Sequence, residues 1–564
     1  MSTPVYDAIV VGSGISGGWA AKEFTEKGMK TLLVERGPEY KHQQDYKYDF
    51  TNPWELPARG KVAEDTLANE YAIQQRCYAM NEMTRERFVK DNEHEYIQEK
   101  PFDWIRGYHT GGRSIMWGRQ SYRWSDLDFE ANRIDGHGVD WPIRYADLES
   151  WYDYVEEFAG ISGNIDNIPH VPDGKFQPPM ELNCVEREVK KRLESKYDNR
   201  HLIIGRCAHL TKPTKVHMEL GRGACMSRNQ CQRGCSFGAY FSSQSATLPA
   251  ARRTGNLEMT HNAIVKEVIY DEATGRAKGV KIVDRTTLQE REYHAKVVFL
   301  CASTIGTTQI MLNSRSRRFP NGIGNDSGAL GRYLMDHTMH VGATGTMEGF
   351  DEHYYKGRRP NGIYIPRFRN LKQQDANYVR GFGYQGGASR PSWQAGMDQP
   401  GIGTDLKASL KNPGTWQFRL IGFGEMLPYA HNRITLDEQN TDQWGIPLLR
   451  MDCEWGDNEH KMREDIVDSA VEMLKAVGAK DIVSTHNDHA PGLAIHEMGT
   501  ARMGKDPKTS VLNKHNQCHS VPNLFVTDGA AMASSACQNP SLTYMALTAR
   551  AVDFAVKEIE TGRL

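Results

Sequence analysis

The chain has 564 residues, enough for more than one average domain and for a large buried core. With 69 basic and 71 acidic side chains its formal charge is −2, so no basic excess points to nucleic acid or an anionic membrane surface. No apolar run approaches the ~18–20 residues of a membrane-spanning helix, and no secretory or twin-arginine leader is visible, which leaves the cytoplasm, or export bound to another subunit, as the expected location.

The first element is the apolar run over residues 8–11, a buried strand. Gly12, Gly14 and Gly17 follow at G-x-G-x-x-G spacing around Ser13, Ile15 and Ser16, then a helical pattern over 19–27 and a second strand over 31–34 ending at Glu35. Gly12 permits the tight turn, Gly14 lets a pyrophosphate approach the backbone, and Gly17 lets helix and strand pack closely. The helix start offers unpaired N–H groups and the positive end of its dipole to the phosphates. Glu35 suits a ribose 2′-OH, and its charge repels a 2′-phosphate. The unit predicts a dinucleotide site. The same residues spell G-x-S-x-G around Ser16, the nucleophile elbow of α/β-hydrolases, but that reading leaves Glu35 unexplained.

Residues 37–100 are polar, aromatic and poorly periodic, an expected insertion serving as lid and subunit contact. In 104–124, Gly111 and Gly112 precede Ser114 and Trp117; small residues allow a second close backbone approach to a large planar ligand, and Trp117 is suited to cover a ring. A second domain is expected to begin near residue 160. Seven of the ten cysteines are scattered, as small buried residues usually are, but Cys225, Cys231 and Cys235 lie in one glycine-bearing loop. Three thiolates there suit zinc, with His217 or Cys207 as a fourth ligand, or a three-iron cluster needing only three cysteines; a disulfide with a free thiol, or plain packing, competes.

The α/β pattern resumes with a helix over 244–253, alternating strands over 257–270 and 277–283, a buried strand over 296–302 and a hydroxyl-rich helix start after it. Residues 340–455 hold short alternating runs rich in aromatics, expected to form a mostly antiparallel sheet and a pocket wall; 459–477 read as an amphipathic helix. The C-terminal part carries His496, a strand entering the turn Asp528-Gly529, and Asn539-Pro540-Ser541, which opens a helix through 549 whose N-terminus can hold an anion or a polarised carbonyl.

In this order, the Gly12/Gly14/Gly17 unit with Glu35, the Gly111-Gly112 loop with Ser114, the Gly331 to Asp336-His337 segment, the His496 to Gly499-Thr500 segment and the Asn539-Pro540 ending resemble the glucose–methanol–choline (GMC) oxidoreductases, which bind FAD. The resemblance implies an enzyme acting on CH–OH groups. Its fold would be α/β: a Rossmann-like FAD-binding domain (1–50, 101–160, 225–340 and 485–564) with a discontinuous α+β substrate domain on a mostly antiparallel sheet (51–100, 161–224 and 341–484). It implies that His496 takes the alcohol proton and Asn539 holds the substrate oxygen. Val265 would meet the adenine through its backbone, Arg36 would join Glu35 at the cofactor, and Asp528, Gly529, Pro540 and Ser541 would approach the flavin end.

A narrower resemblance, around Cys225–Cys231–Cys235 and in 121–129 and 178–184, is to bacterial FAD glucose dehydrogenases and glucoside 3-dehydrogenases. It implies a [3Fe-4S] cluster on those cysteines, electron transfer to a cytochrome c, a small partner subunit and periplasmic co-export. The implied reaction is oxidation of a sugar hydroxyl, at C3 of a glucoside or disaccharide; C1 oxidation of glucose, or an oxidase using O2, are the alternatives.

Overall fold

A computed structural model describes residues 5–52, 55–353, 362–391 and 401–564. The buried apolar runs assemble a seven-stranded sheet in the order Leu257–Thr260, Thr31–Val34, Val5–Val11, Glu290–Leu300, Arg276–Asp284, Ala263–Asp271, with Leu524–Val526 also pairing Glu290–Leu300. The pairings among its first four strands, and that of Leu524–Val526, are parallel; Arg276–Asp284 and Ala263–Asp271 form an antiparallel extension. Helix Ile15–Glu26 packs beside the C-terminal helix Ser541–Glu560, so the two ends of the chain close on each other. Small residues make this approach close: Ala20 and Ala21 share a core with Ala551 and Ala555, sealed by Phe24, Phe299 and Phe525. Each of those phenylalanines contributes on the order of 1.5–3 kcal/mol by burial.

The helix after the glycine turn starts at Ile15, four residues before the apolar pattern suggests, because Ser16, Gly17 and Gly18 are poor helix formers that hide its first turn. The last helix runs to Glu560, eleven residues beyond the expected 549.

A second, six-stranded antiparallel sheet has the order Lys480–His486, Thr338–Met347, Trp416–Gly424, Phe382–Ser389, Ile363–Ile365, Ile203–Ile204. Alternation decides its two faces. Trp416, Phe418, Leu420, Phe382 and Tyr384 pack with Met462, Ile466, Ala470 and Met473 of helix Asp457–Ala476. Gly422 is required there: a Cβ on it would sit 2.3 Å from Ile466. The opposite face carries Gln385, Gln417, Arg419, Ile421 and Phe423 in register, Gln385 opposite Ile421.

A third sheet, Met498–Thr500, Arg332–Met335, Arg433–Thr441, Pro447–Asp452, Ile97–Gln98, ties distant segments together. Its last strand comes from the 37–100 insertion. No helix among the described residues is long and apolar enough to cross a membrane.

Candidate active site and cofactor cradle

The glycine turn is built as its spacing requires. Gly12 has φ +92° and a Cβ there would lie 2.6 Å from the Cys301 carbonyl; a Cβ on Gly17 would lie 1.7 Å from the Gly12 carbonyl. Gly14 differs: a Cβ on it would meet nothing within 4 Å, and one on Gly112 would meet only the Gly107 carbonyl at 3.7 Å and the Gly14 Cα at 3.9 Å. Gly14 and Gly112 therefore approach each other beside open space. The helix starting at Ile15, with Gly14 as N-cap, has no side-chain cap and no acid in its first turn, so its leading N–H groups are left for a phosphate. Ser16 is buried in that turn, and no histidine bonds to it among the described residues, so the elbow has no base.

Serines lace this turn to the second glycine loop. Gly111 N–H donates to Ser13 Oγ at 2.9 Å, Ser114 Oγ donates to the Gly111 carbonyl at 2.6 Å, and Ser243 bridges Ser13 and Ser114. Glu35 accepts from Ser13 N–H at 3.1 Å and Gly37 N–H at 2.9 Å, and burial raises its pKa. The chain crosses beside it: Ala263 N–H donates to the Glu35 carbonyl, which sets Val265 two residues on, in the strand that ends the seven-stranded sheet. Arg36 turns its guanidinium onto the Tyr108 ring, 3.9 Å from the centroid. Trp117 is fixed by its indole N–H on the Phe241 carbonyl at 2.9 Å.

At the far end, Asp528 accepts from Ala530 N–H at 3.0 Å and Thr307 Oγ1 at 2.5 Å, and burial raises it to about 6. Gly529 leaves no room for a side chain: a Cβ would lie 2.4 Å from the Glu497 carbonyl. Pro540 is the N-cap of helix Ser541–Glu560, which again has no side-chain cap and no acid in its first turn. Two uncapped helix starts, the open glycine cradle and a buried ribose-type carboxylate fit a dinucleotide such as FAD.

His496 and Asn539 meet: Asn539 Nδ2 lies 3.2 Å from His496 Nε2. The partner on the other side of His496 is His337, Nδ1 to Nδ1 at 2.9 Å. His337 Nε2 faces the carbonyls of Ser535 and Ala536 at 3.1 and 2.8 Å, which can only accept, so His337 carries its proton on Nε2. Its bare Nδ1 must then accept from His496 Nδ1–H, leaving a lone pair on His496 Nε2. Burial first, then repulsion that protonated His337 and Arg113 would exert on an imidazolium, hold His496 well below its ordinary 6.5, and burial takes His337 to about 4. Both are neutral at pH 7.

The loop carrying His496 is strained and pinned. Ile495, a β-branched residue, has φ +64°. Buried Asp336 accepts from the N–H groups of Gly492, Ala494 and His496 at 2.7, 3.2 and 3.0 Å. Burial, with Glu497 adding, raises its carboxyl to about 7. Arg113 donates to both Glu497 oxygens at 2.9 and 2.7 Å, tying this loop to the Gly111–Gly112 cradle. Phe423 stands 6.2 Å from His496 between ring centroids, and Gln385 Nε2 donates to Asn539 Oδ1 at 2.7 Å. Both fall in the stretch expected to form a pocket wall; 354–361 and 392–400 of that stretch lie outside the described residues.

The cysteine expectation is corrected. Cys225, Cys231 and Cys235 are free, so no disulfide joins them. Among the described residues no three His, Cys, Asp or Glu side chains form a group able to hold a metal ion. Arginines anchor this loop: Arg228 pairs with Asp49, and Arg233 donates to the carbonyls of Tyr48 and Thr51. His217 uses both ring nitrogens, accepting from Thr214 and reaching the Glu157 and Phe158 carbonyls, and Cys207 bonds Ser162. The histidine beside Cys231 is His209, Nε2 to Sγ 3.8 Å, which spacing did not single out.

Comparison with known proteins agrees with this geometry. Models of the GMC oxidoreductase family match residues 6–339 and 428–548. The chain is 28% identical to 2-methyl-1,2-propanediol dehydrogenase of Mycolicibacterium austroafricanum, covering 97% of this chain and 94% of the relative. It is 25% identical to the fructose dehydrogenase large subunit of Gluconobacter japonicus, over 99% and 98%. Formate oxidase of Aspergillus oryzae RIB40 superposes over the full length of both chains with a TM-score of 0.59 at 15% identity, a likeness of fold. With family models spanning most of its length and a glycine cradle that fits a dinucleotide, the chain belongs to the GMC oxidoreductases, FAD-dependent enzymes that oxidise CH–OH groups.

Proposed function

We propose that this enzyme oxidises a secondary hydroxyl of a sugar or glycoside to a ketone, with C3 of a glucoside or disaccharide as the position. The observation that carries the reading is the His496–Asn539 pair, in which His496 Nε2 carries the lone pair and the antiparallel sheet supplies Phe423 and Gln385 beside it. Bound FAD supplies the two-electron acceptor for hydride from the carbinol carbon. The chain's own groups do the rest. His496 Nε2 takes the hydroxyl proton; Asn539 Nδ2 donates to the substrate oxygen as charge builds on it. Gly12, Gly14, Gly17, Gly111 and Gly112 hold the cofactor's phosphates and Glu35 its ribose. Asp528, Gly529, Pro540 and Ser541 hold the flavin end. The cradle segments (1–50, 101–160, 225–340, 485–564) form the FAD-binding domain and the rest the substrate domain.

Support for a carbohydrate comes from the likeness to a fructose dehydrogenase large subunit and from polar Gln385, which bonds Asn539 from the sheet. C3 rests on the sequence resemblance to glucoside 3-dehydrogenases. That resemblance, and a relative named as a large subunit, also support a small partner subunit, transfer to a cytochrome c and periplasmic co-export. No electron step is routed through Cys225, Cys231 and Cys235, which form no metal-holding group among the described residues.

The test is anaerobic titration of the visible flavin spectrum with a panel of sugars, glycosides and simple alcohols, with NMR of the product. Bleaching by a glucoside and a carbonyl at C3 is expected. A carbonyl at C1 replaces this reading with a glucose dehydrogenase, rapid O2 consumption replaces it with an oxidase, and no bleaching by any sugar refutes it.

A further inference from the structure

A primary amide can sit in its pocket two ways, and only one of them is useful at Asn539. With Nδ2 toward His496 the amide donates to a lone pair; turned over, it sets Oδ1 against that lone pair, acceptor on acceptor. The His496 lone pair selects the first, and Gln385 completes it: its Nε2 donates to Asn539 Oδ1 at 2.7 Å when Nδ2 faces His496. The bond crosses between elements: Gln385 belongs to strand Phe382–Ser389 of the antiparallel sheet, whereas Asn539 precedes the C-terminal helix of the cofactor half.

The four side chains form one directed chain. Gln385 donates to Asn539, Asn539 to His496, His496 to His337, and His337 to the carbonyls of Ser535 and Ala536. The chain ends on groups that cannot donate, so every proton in it points the same way. Asn539 is 8% exposed, so bulk water does not supply the orienting partner instead.

We infer that Gln385 is a positioning residue of this enzyme: it fixes the Asn539 amide so that its N–H, not its carbonyl, meets His496 and the substrate oxygen. This rests on reading His496 and Asn539 as the pair that meets the substrate. Gln385 thereby links the wall that binds substrate to the group that polarises it.

The experiment measures anaerobic flavin reduction in Gln385→Leu, Gln385→Glu, Asn539→Ala and the double variant Gln385→Leu/Asn539→Ala, with FAD content and KM for each. Gln385→Leu is expected to slow reduction about tenfold, the loss of one orienting hydrogen bond, at unchanged FAD content and with KM within about twofold. The ionised carboxylate introduced by Gln385→Glu only accepts, so it draws Nδ2 to itself, turns Oδ1 onto His496 and slows reduction more than Gln385→Leu does. In the Asn539→Ala background, Gln385→Leu is expected to cost nothing further. Additive losses, or a raised KM with an unchanged rate constant, overturn the inference and make Gln385 an independent substrate contact. An unchanged rate in Asn539→Ala overturns the reading of the pair beneath it, and the inference with it. Should Gln385→Leu fail to fold, the near-isosteric Gln385→Glu decides: a rate equal to that of the unmodified enzyme overturns the inference.

Discussion

His337→Leu should disable the enzyme without touching substrate or cofactor. In the native protein the Ser535 and Ala536 carbonyls hold the His337 proton on Nε2, and the bare Nδ1 accepts from His496 at 2.9 Å. Leucine removes that acceptor and leaves His496 Nδ1–H buried without a partner, at about 1–3 kcal/mol. The imidazole escapes this by moving its proton to Nε2, where it meets the Asn539 donor 3.2 Å away and has no lone pair for the substrate. The productive tautomer thus loses up to ~1–3 kcal/mol, offset in part by the clash of Nε2–H with the Asn539 donor, so the rate should fall by roughly 5-fold and by no more than roughly 150-fold. Anaerobic stopped-flow reduction of the flavin reads this directly, with FAD content as a control. His337→Asn is the informative companion. Its amide can accept from His496 and donate to the same carbonyls, so it should retain most of the rate. Full activity in His337→Leu at native FAD content would refute the tautomer argument; equal loss in both variants would reduce His337 to a packing role.

Three further outcomes follow from the same geometry. His496→Ala should lower the reduction rate by roughly 10²–10⁴, the range for a general base, with FAD retained; turnover at the native rate would remove His496 from the chemistry. Because the folded-state pKa of His496 is depressed, its neutral form is lost only as pH falls through that lowered value. The flavin-reduction rate should therefore stay flat through pH 6.5 and decline well below it, and a half-maximal point at or above 6.5 would contradict the burial seen here. Gly14→Val adds a side chain into open space, so it should yield a folded protein that retains little FAD, whereas Gly17→Val drives a Cβ into the Gly12 carbonyl and should abolish soluble protein; far-UV circular dichroism and the flavin-to-protein absorbance ratio separate the two.

The cradle was legible because backbone constraints leave a mark in the sequence. A turn at φ +92° and a 1.7 Å approach accept only glycine, so Gly12 and Gly17 announce themselves. Glu35 is equally readable, at the tip of a short buried strand. The strand positions around it follow from apolar alternation. Side-chain networks leave no such mark. Gln385 sits in a glycine-bearing strand where nothing local separates it from a surface glutamine, and its partner is far away in sequence. Asp336 and His337 were visible as a motif, but their work depends on which carbonyls and amides the fold brings to them. The unperturbed histidine pKa of about 6.5 that a sequence suggests is overturned at His496 by burial first, with His337 and Arg113 adding. The cysteine loop shows the opposite error: spacing offered a ligand set, while arginine anchors and His209, set by tertiary structure, decide where the thiols lie.

The antiparallel sheet also bears on how such an enzyme changes its diet. One face is committed to helix Asp457–Ala476 through Trp416, Phe418 and Leu420, while Gln417, Arg419 and Ile421, with Ser389 across the register from Gln417, belong to the other face. Period-two alternation thus separates an inheritable scaffold from a variable surface on the same stretch of strand. Substitutions at 389, 417 and 421 therefore alter the second face while leaving the packing of the first in place, so the two faces can diverge at different rates.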